Sequence, residues 1–173
     1  MIKMLNCAKQ NKNTIRGFTL IEMLIYMGLL SIFLVVLVDV FIATLNVRIE
    51  AAAVAGVEQD GRFIISRLSY DITRASSITT PASLGASGST LTIVISGSTY
   101  TYSVVSGNLQ VVINGSETIN LNSSETTISG LTFLRIGNVG GKDTIQIQFT
   151  TTSSNLKKSG SETRTFKTTV GRR

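Results

Sequence analysis

The longest apolar run of the chain covers residues 18–38 and contains a single charged residue, Glu22. Apolar residues dominate again over 40–45. A helix of about 20 apolar residues can cross a bilayer core of roughly 30 Å, so the pattern predicts a transmembrane helix over 18–45. The alternative is a buried helix of a soluble protein, but this run has few polar residues on any face.

Beyond residue 45 the apolar positions change to a one-sided helical spacing. This change predicts an amphipathic continuation of the helix over 46–75, which must cover another part of the chain. Two i,i+4 ion pairs, Glu58 with Arg62 and Arg67 with Asp71, are expected on other faces. The apolar positions of the predicted stripe are Val47, Val54, Val57, Ile64, Leu68 and Ile72.

The composition changes sharply at Ser76. Residues 76–90 are rich in Gly and Ser and contain the one proline, Pro81, which predicts a loop. Apolar and polar residues then alternate over 91–173, as in strands with one apolar face. The predicted fold class is α+β: a long N-terminal helix packed on a C-terminal antiparallel sheet.

Within 91–173 the alternation locates the strands and their inward faces. Further strands are predicted over 131–136 and 163–170. Hairpin turns are expected near Gly97, Gly107 and Asn114-Gly115. The residues predicted to share the apolar faces are Leu91, Ile93, Ile95, Tyr100, Tyr102, Val104, Leu109, Val111, Ile113, Ile145, Ile147 and Phe149.

The charge of the chain is concentrated at its N-terminus. Residues 1–17 contain four basic residues and no acidic residue. The rest of the chain has 12 basic and 10 acidic residues, so its net charge is +2, compared with +6 for the whole chain. By the positive-inside rule this end stays in the cytoplasm and the rest of the chain lies outside. The basic balance therefore indicates topology and does not indicate a nucleic-acid partner. The four basic residues are Lys3, Lys9, Lys12 and Arg16.

The order of the segments distinguishes this N-terminus from a secretory signal peptide. A signal peptide has its small-residue cleavage site after a short apolar region, whereas Gly17 precedes the apolar run. Cleavage at Gly17 would leave the membrane helix on the product, with Phe18 as its first residue. The single cysteine, Cys7, would be removed with the leader, so disulfides could not stabilise the mature chain.

Glu22 needs a function or a partner, because a charge in a membrane segment costs about 2.5–3.5 kcal/mol on insertion scales. A glutamate near the cytoplasmic face could extend to the interface, or pair with its own chain's amine or with Arg16. A partner on another subunit is the other explanation.

The stretch Arg16-Gly17-Phe18-Thr19-Leu20-Ile21-Glu22 closely resembles the cleavage and methylation signal of type IV prepilins and type II secretion pseudopilins. The resemblance implies that a prepilin peptidase cuts between Gly17 and Phe18 and then methylates the Phe18 amine. Glu22 becomes the fifth mature residue and is expected to meet the N-terminal amine of a neighbouring subunit. Pairing would offset much of the cost of burying either charge.

A second stretch, over 57–75, is similar to a pattern of PilW-type minor pilins and related pseudopilins. In the membrane segment, Gly28 and Ser31 are small residues that permit close helix packing in lipid. The residues that match the PilW-type pattern are Gln59, Gly61, Arg62, Phe63, Leu68, Asp71, Arg74 and Ala75.

The composition does not support catalysis. The chain has no histidine, and it has no carboxylate cluster at a spacing suited to acid–base work or metal binding. The stretch 137–143 is rich in glycine but lacks the spacing of a phosphate-binding loop, and is predicted to be a turn between strands. We expect no enzyme activity, no cofactor, no metal and no direct nucleotide binding.

The sequence thus predicts a non-enzymatic filament subunit, a minor pilin or pseudopilin of a type IV pilus or type II secretion-like machine. The resemblance implies as partners a prepilin peptidase, other pilin or pseudopilin subunits, an inner-membrane assembly platform and the lipid bilayer. The expected location is the cytoplasmic membrane, then an extracellular or periplasmic filament. Two alternatives are a major pilin and an uncleaved single-pass adhesin or sensor. The predicted segments are a removed leader (1–17), a transmembrane and assembly helix (18–45), an amphipathic helix (46–75), a loop (76–90) and a sheet domain (91–173).

Overall fold

The computed structural model describes residues 17–138, 140–157 and 160–173. The four basic leader residues and Cys7 lie outside the described residues. One helix, α1 (Leu20–Arg74), precedes all of the strands, within two residues of the limits predicted for the two helical segments together. No proline interrupts it, because Pro81 is the first in the chain. The chain divides into two compact units, of which the first ends at Ala43 and the second begins at Thr44.

The first unit is the apolar part of α1. From residue 17 to residue 52 every side chain is exposed except that of Glu22, which is half-buried. Within the described ranges, α1 is the one helix long and apolar enough to cross a membrane. An exposed apolar surface of this length needs lipid or other subunits around it.

The second unit combines the rest of α1 with two antiparallel sheets, so the described part of the chain has an α+β fold. The first sheet has the order β1-β3-β4-β5-β6, and the second has the order β2-β7-β8-β9. The strands are β1 (Ser77–Thr80), β2 (Ser87–Gly88), β3 (Leu91–Ile95), β4 (Ser98–Val105), β5 (Asn108–Ile113), β6 (Glu117–Asn120), β7 (Thr126–Ile136), β8 (Thr144–Lys157) and β9 (Gly160–Gly171).

The single sheet predicted from the alternation is wrong, since the strands form two. Alternation shows which side chains face inward but not which strand pairs with which. The chain changes sheet after β1, after β2 and after β6. The prediction of a loop over 76–90 missed β1 and β2, which have four and two residues and are too short to show a period. The stretch 137–143 joins β7 to β8, as predicted.

Two-residue turns connect β3 to β4 and β4 to β5, and residues 114–116 connect β5 to β6, where the sequence predicted hairpins. Ser96 and Gly97 have φ values of 50° and 83°, and Ser106 and Gly107 have 50° and 79°. Positive φ at both central residues matches the twist of the flanking strands, and glycine adopts it without strain. Asn114 also has positive φ, and its Oδ1 accepts a hydrogen bond from the Thr99 amide at 2.9 Å.

The core lies between α1 and both sheets. Val57, Ile64, Leu68 and Ile72 of the predicted stripe are buried, but Val47 is 65% exposed and Val54 is only half-buried. The prediction for Val47 is wrong because burial along α1 begins at Ala53. The predicted strand residues that are buried are Leu91, Ile93, Ile95, Tyr102, Leu109, Val111, Ile145, Ile147 and Phe149, while Tyr100, Val104 and Ile113 are partly buried against them.

Two buried carboxylates attach α1 to the sheets. Asp71 is only 3% exposed and accepts hydrogen bonds from the Tyr102 hydroxyl and, at 2.7 Å, from Arg67 Nε. The predicted Arg67–Asp71 pair therefore forms, but on the sheet-facing side of the helix. Asp60 Oδ2 accepts from the Ser123 amide at 2.9 Å and from the Ser123 hydroxyl at 2.8 Å. The predicted Glu58–Arg62 pair forms at 3.0 Å.

Arg135 holds the segment that follows β1. Its guanidinium donates to the carbonyls of Ile78, Pro81 and Ala82 at 3.1, 2.9 and 2.9 Å. The same group pairs with Asp143 at 3.0 Å. A planar guanidinium has five donors in a fixed fork, so one side chain can satisfy several orphan carbonyls of an irregular segment.

Gly61 of α1 lies against Phe166 of β9. A Cβ at this position would come within 2.2 Å of the Phe166 ring. That ring stacks on Phe149, with centroids 5.5 Å apart and 20° between the planes. The ring therefore has a neighbour behind it and little freedom to move aside.

We expect Gly61→Ala to destabilise the fold by about 1–2 kcal/mol, because overpacking against Phe166 outweighs the better helix propensity of alanine. Gly56→Ala is the matched control, since its Cβ would meet nothing closer than 3.9 Å. It should leave stability unchanged or raise it by up to about 1 kcal/mol. Denaturant unfolding of the full chain in detergent measures both, and equal stability of the two variants would contradict the expectation. Phe166→Leu should partly restore Gly61→Ala.

Burial, followed by the hydrogen bond to the Asp71 carboxylate, raises the pKa of Tyr102 well above its ordinary value of 10. The unfolded chain therefore releases this proton at a lower pH than the folded chain does. The stability that depends on the neutral phenol is fully present below pH 10 and is lost as the pH rises toward the folded-state pKa.

Tyr102→Phe should lower the free energy of unfolding at neutral pH by about 1–3 kcal/mol, because Asp71 loses a buried donor. Above pH 10, where Tyr102 begins to titrate in the unfolded chain, the variant should lose stability less steeply than the wild type. Tyr100→Phe, in the same strand but only half-buried, is the control. Unfolding curves at several pH values would contradict the assignment if the two variants behaved alike.

Candidate functional site

The candidate site lies at the start of α1. Gly17, Phe18 and Thr19 precede the helix and are exposed. A Cβ built on Gly17 would meet no described atom within 4 Å. The Gly17–Phe18 peptide bond is thus outside regular structure and open to approach, as a bond cut by a peptidase has to be.

Thr19 is the N-cap of the helix. Its Oγ1 accepts a hydrogen bond at 3.3 Å from the amide of Glu22, three residues on. Ser or Thr followed three residues later by Glu is the sequence pattern of a capping box, in which the cap side chain satisfies an otherwise unpaired amide. The cap fixes the backbone that carries Glu22.

The side chains of Phe18, Glu22 and Tyr26 follow one another at four-residue intervals on the same side of the chain. The Tyr26 hydroxyl donates to Glu22 Oε1 at 3.3 Å. The rings of Phe18 and Tyr26 meet edge to face, with centroids 6.3 Å apart and planes at 81°. These contacts explain why Glu22 is half-buried while its neighbours are exposed.

A shallow pocket opens beside the carboxylate, lined by Gly17, Phe18, Thr19 and Glu22. A carboxylate next to an open pocket can accept a cationic donor such as an ammonium group. Within the described ranges, no group of three His, Cys, Asp or Glu residues could hold a metal ion.

The two small residues predicted to pack helices lie further along the segment. Ser31 back-bonds to the helix, with its hydroxyl donating to the carbonyl of Met27 at 2.5 Å and of Gly28 at 3.2 Å. A Cβ at Gly28 would meet no described atom within 4 Å. Nine residues, or two and a half turns, separate Ser31 from Glu22, so the structure does not bring them together.

The sequence interpretation singled out Gly17, Phe18 and Glu22 but missed Thr19 as the cap and Tyr26 as the donor. The signals were present in the sequence. Thr19 and Glu22 have the capping-box spacing, and Glu22 and Tyr26 have the i,i+4 spacing at which side chains on a helix meet. Tyr26 was overlooked as a donor because an aromatic residue in an apolar run is also expected where a helix faces lipid.

Comparison with known proteins identifies this same region. A family model described as the prokaryotic N-terminal methylation motif matches residues 12–38. The match includes Gly17, Phe18 and Glu22 and supports a type IV pilin-like prepilin signal, which implies processing by prepilin peptidase and assembly with other pilins. Proteins with such a motif are structural rather than enzymatic. No curated protein and no solved structure matches the chain.

Proposed function

We propose that the chain is a non-enzymatic structural subunit, a minor pilin or pseudopilin, of a type IV pilus or type II secretion-like filament. One observation carries the proposal: the exposed Gly17–Phe18 bond directly precedes a membrane-length apolar helix with Glu22 in its first turn. The methylation motif found over 12–38 supports the same assignment. The minor role rests on the resemblance of 57–75 to PilW-type subunits.

In this proposal the peptidase hydrolyses the Gly17–Phe18 bond on the cytoplasmic side and methylates the new amine of Phe18. Before assembly the chain waits in the cytoplasmic membrane, with the sheet domain outside. An inner-membrane assembly platform then moves it into an extracellular or periplasmic filament, with energy supplied by a separate motor. The basic leader sets this orientation.

Glu22 sets the register of assembly by pairing with the N-terminal amine of a neighbouring subunit. Either charge alone is costly among apolar side chains, and pairing offsets much of that cost. Each subunit presents an amine to one neighbour and a carboxylate to another. Such a contact is heterologous, and it propagates into an open helical filament when the rotation does not close. Gly28 and Ser31 permit close approach of adjacent helices.

The proposal predicts a mature chain that begins at Phe18 and carries one extra methyl group on its amine. Intact-mass and N-terminal peptide analysis of the protein from its host membranes measures this directly. A chain that still begins at Met1 in cells with an active peptidase would contradict the proposal. It would favour an uncleaved membrane-anchored adhesin or sensor instead.

We also expect Glu22→Gln to be cleaved and methylated normally but to be depleted from sheared filaments by about tenfold or more, because the neighbour's ammonium loses its counter-charge. Glu50→Gln is the matched control, because Glu50 is an exposed carboxylate on the same helix. Quantitative mass spectrometry of filaments and membranes gives both ratios. Equal incorporation of the two variants would contradict the role of Glu22, and very high abundance of the wild-type chain in filaments would indicate a major pilin.

A further inference from the structure

Tyr26 places a hydroxyl inside the membrane-length segment. Few residues of that segment carry a polar side-chain group, and the hydroxyl of Ser31 is already satisfied by backbone carbonyls. A hydroxyl among apolar groups is costly unless it forms a hydrogen bond. The phenol of Tyr26 forms its bond with Glu22 Oε1, at 3.3 Å.

The phenol has a neighbour on each of two sides. Its ring meets the edge of Phe18 at a centroid distance of 6.3 Å, and helix geometry places it one turn beyond Glu22. Tyr26 therefore contacts both the residue that becomes the N-terminus and the carboxylate that is expected to receive a neighbour's N-terminus.

The hydrogen bond occupies one of the two carboxylate oxygens. Among the described residues, Tyr26 is the only side chain that donates to Glu22. Oε2 is left for a second donor, beside the pocket lined by Gly17, Phe18 and Thr19. Because the phenol is neutral, it stabilises the carboxylate without replacing the cation that the carboxylate would pair with.

We propose that Tyr26 is a positioning residue for assembly: its hydroxyl holds the Glu22 side chain so that the second oxygen faces the N-terminal ammonium of a neighbouring subunit. The inference rests on the proposed role of Glu22. A side chain already held in its binding geometry loses less conformational freedom when the partner arrives, so pairing is stronger.

The test is Tyr26→Phe in the full-length chain, produced in its host together with the wild type. Phenylalanine keeps the ring against Phe18 and removes only the hydroxyl. Mass spectrometry distinguishes the two chains and gives the variant-to-wild-type ratio in sheared filaments and in membranes. The filament ratio divided by the membrane ratio is a quotient that measures incorporation of the variant. We expect this quotient to fall roughly three- to tenfold, as for loss of an ordinary hydrogen bond, because the Tyr26–Glu22 bond is long and exposed. Cleavage and methylation should be complete.

Tyr70→Phe is the matched control, because Tyr70 is an exposed tyrosine of the same helix whose hydroxyl bonds to Arg74. Its quotient should stay unchanged. In a Glu22→Gln chain, Tyr26→Phe should cause no further loss, because the charged acceptor is gone. If Glu22→Gln is not incorporated at all, Tyr26→Phe is tested in a Glu22→Asp chain instead. The aspartate side chain is shorter, so its carboxylate lies further from the phenol.

The remaining outcomes separate this inference from the function on which it rests. Normal incorporation of Tyr26→Phe beside loss of Glu22→Gln would overturn the positioning role and leave the proposed function standing. Losses that add in the double variant would show that the phenol acts independently of Glu22, which also overturns it. Reduced cleavage at Gly17 in Tyr26→Phe would assign Tyr26 to recognition by the peptidase instead. Normal incorporation of Glu22→Gln would contradict the proposed pairing of Glu22 with a neighbour's amine, on which this inference rests.

Discussion

The burial of one face of α1 beneath two sheets is the constraint on which the second unit depends. The apolar side chains of both sheets join Ile64, Leu68 and Ile72 in a single core. No cysteine lies beyond residue 7, so this unit is held together without disulfides, by packing, hydrogen bonds and ion pairs. Because each sheet needs the helix to cover its apolar face, this half of α1 is a structural part of the second unit as well as the continuation of the apolar helix of the first unit.

Polar contacts fix where the helix lies on the sheets. Hydrophobic packing is non-directional, and helices slide along apolar faces at modest cost unless something specific holds them. Asp60 and Asp71 supply that specificity, since each buried carboxylate accepts hydrogen bonds from a different part of the sheet region. The close contact of Gly61 with Phe166 also limits how the helix can lie, because it leaves no room for a side chain at position 61. These roles explain why the sheet-facing side of α1, which is otherwise mainly apolar, contains Asp60, Gly61 and Asp71.

Most of the fold could be predicted from periodicity, because burial has a direct signature in the sequence. The alternation that places Leu91, Ile93 and Ile95 on one face is confirmed in β3. Properties that depend on distant partners could not be predicted. The exposure of Val47 depends on where the sheets end, and the burial of Asp71 depends on Tyr102, which lies 31 residues further along the chain. At the N-terminal site, the motif residues were evident. The contacts of Thr19 and Tyr26 were missed, although their capping-box and i,i+4 spacings to Glu22 were present in the sequence.

The Thr19 cap has an electrostatic consequence for the mature chain. Helix N-termini carry roughly half a unit of positive charge, which disfavours a cation at that end. In the proposed mature chain, the ammonium of Phe18 would stand one residue before the cap, in the region where the helix's own field repels it. Cleavage would thus create a cation that its own helix disfavours, while a carboxylate on a neighbouring helix offers it a favourable position. The helix field would therefore increase the need of this ammonium for a carboxylate partner, either Glu22 of its own chain or that of a neighbour.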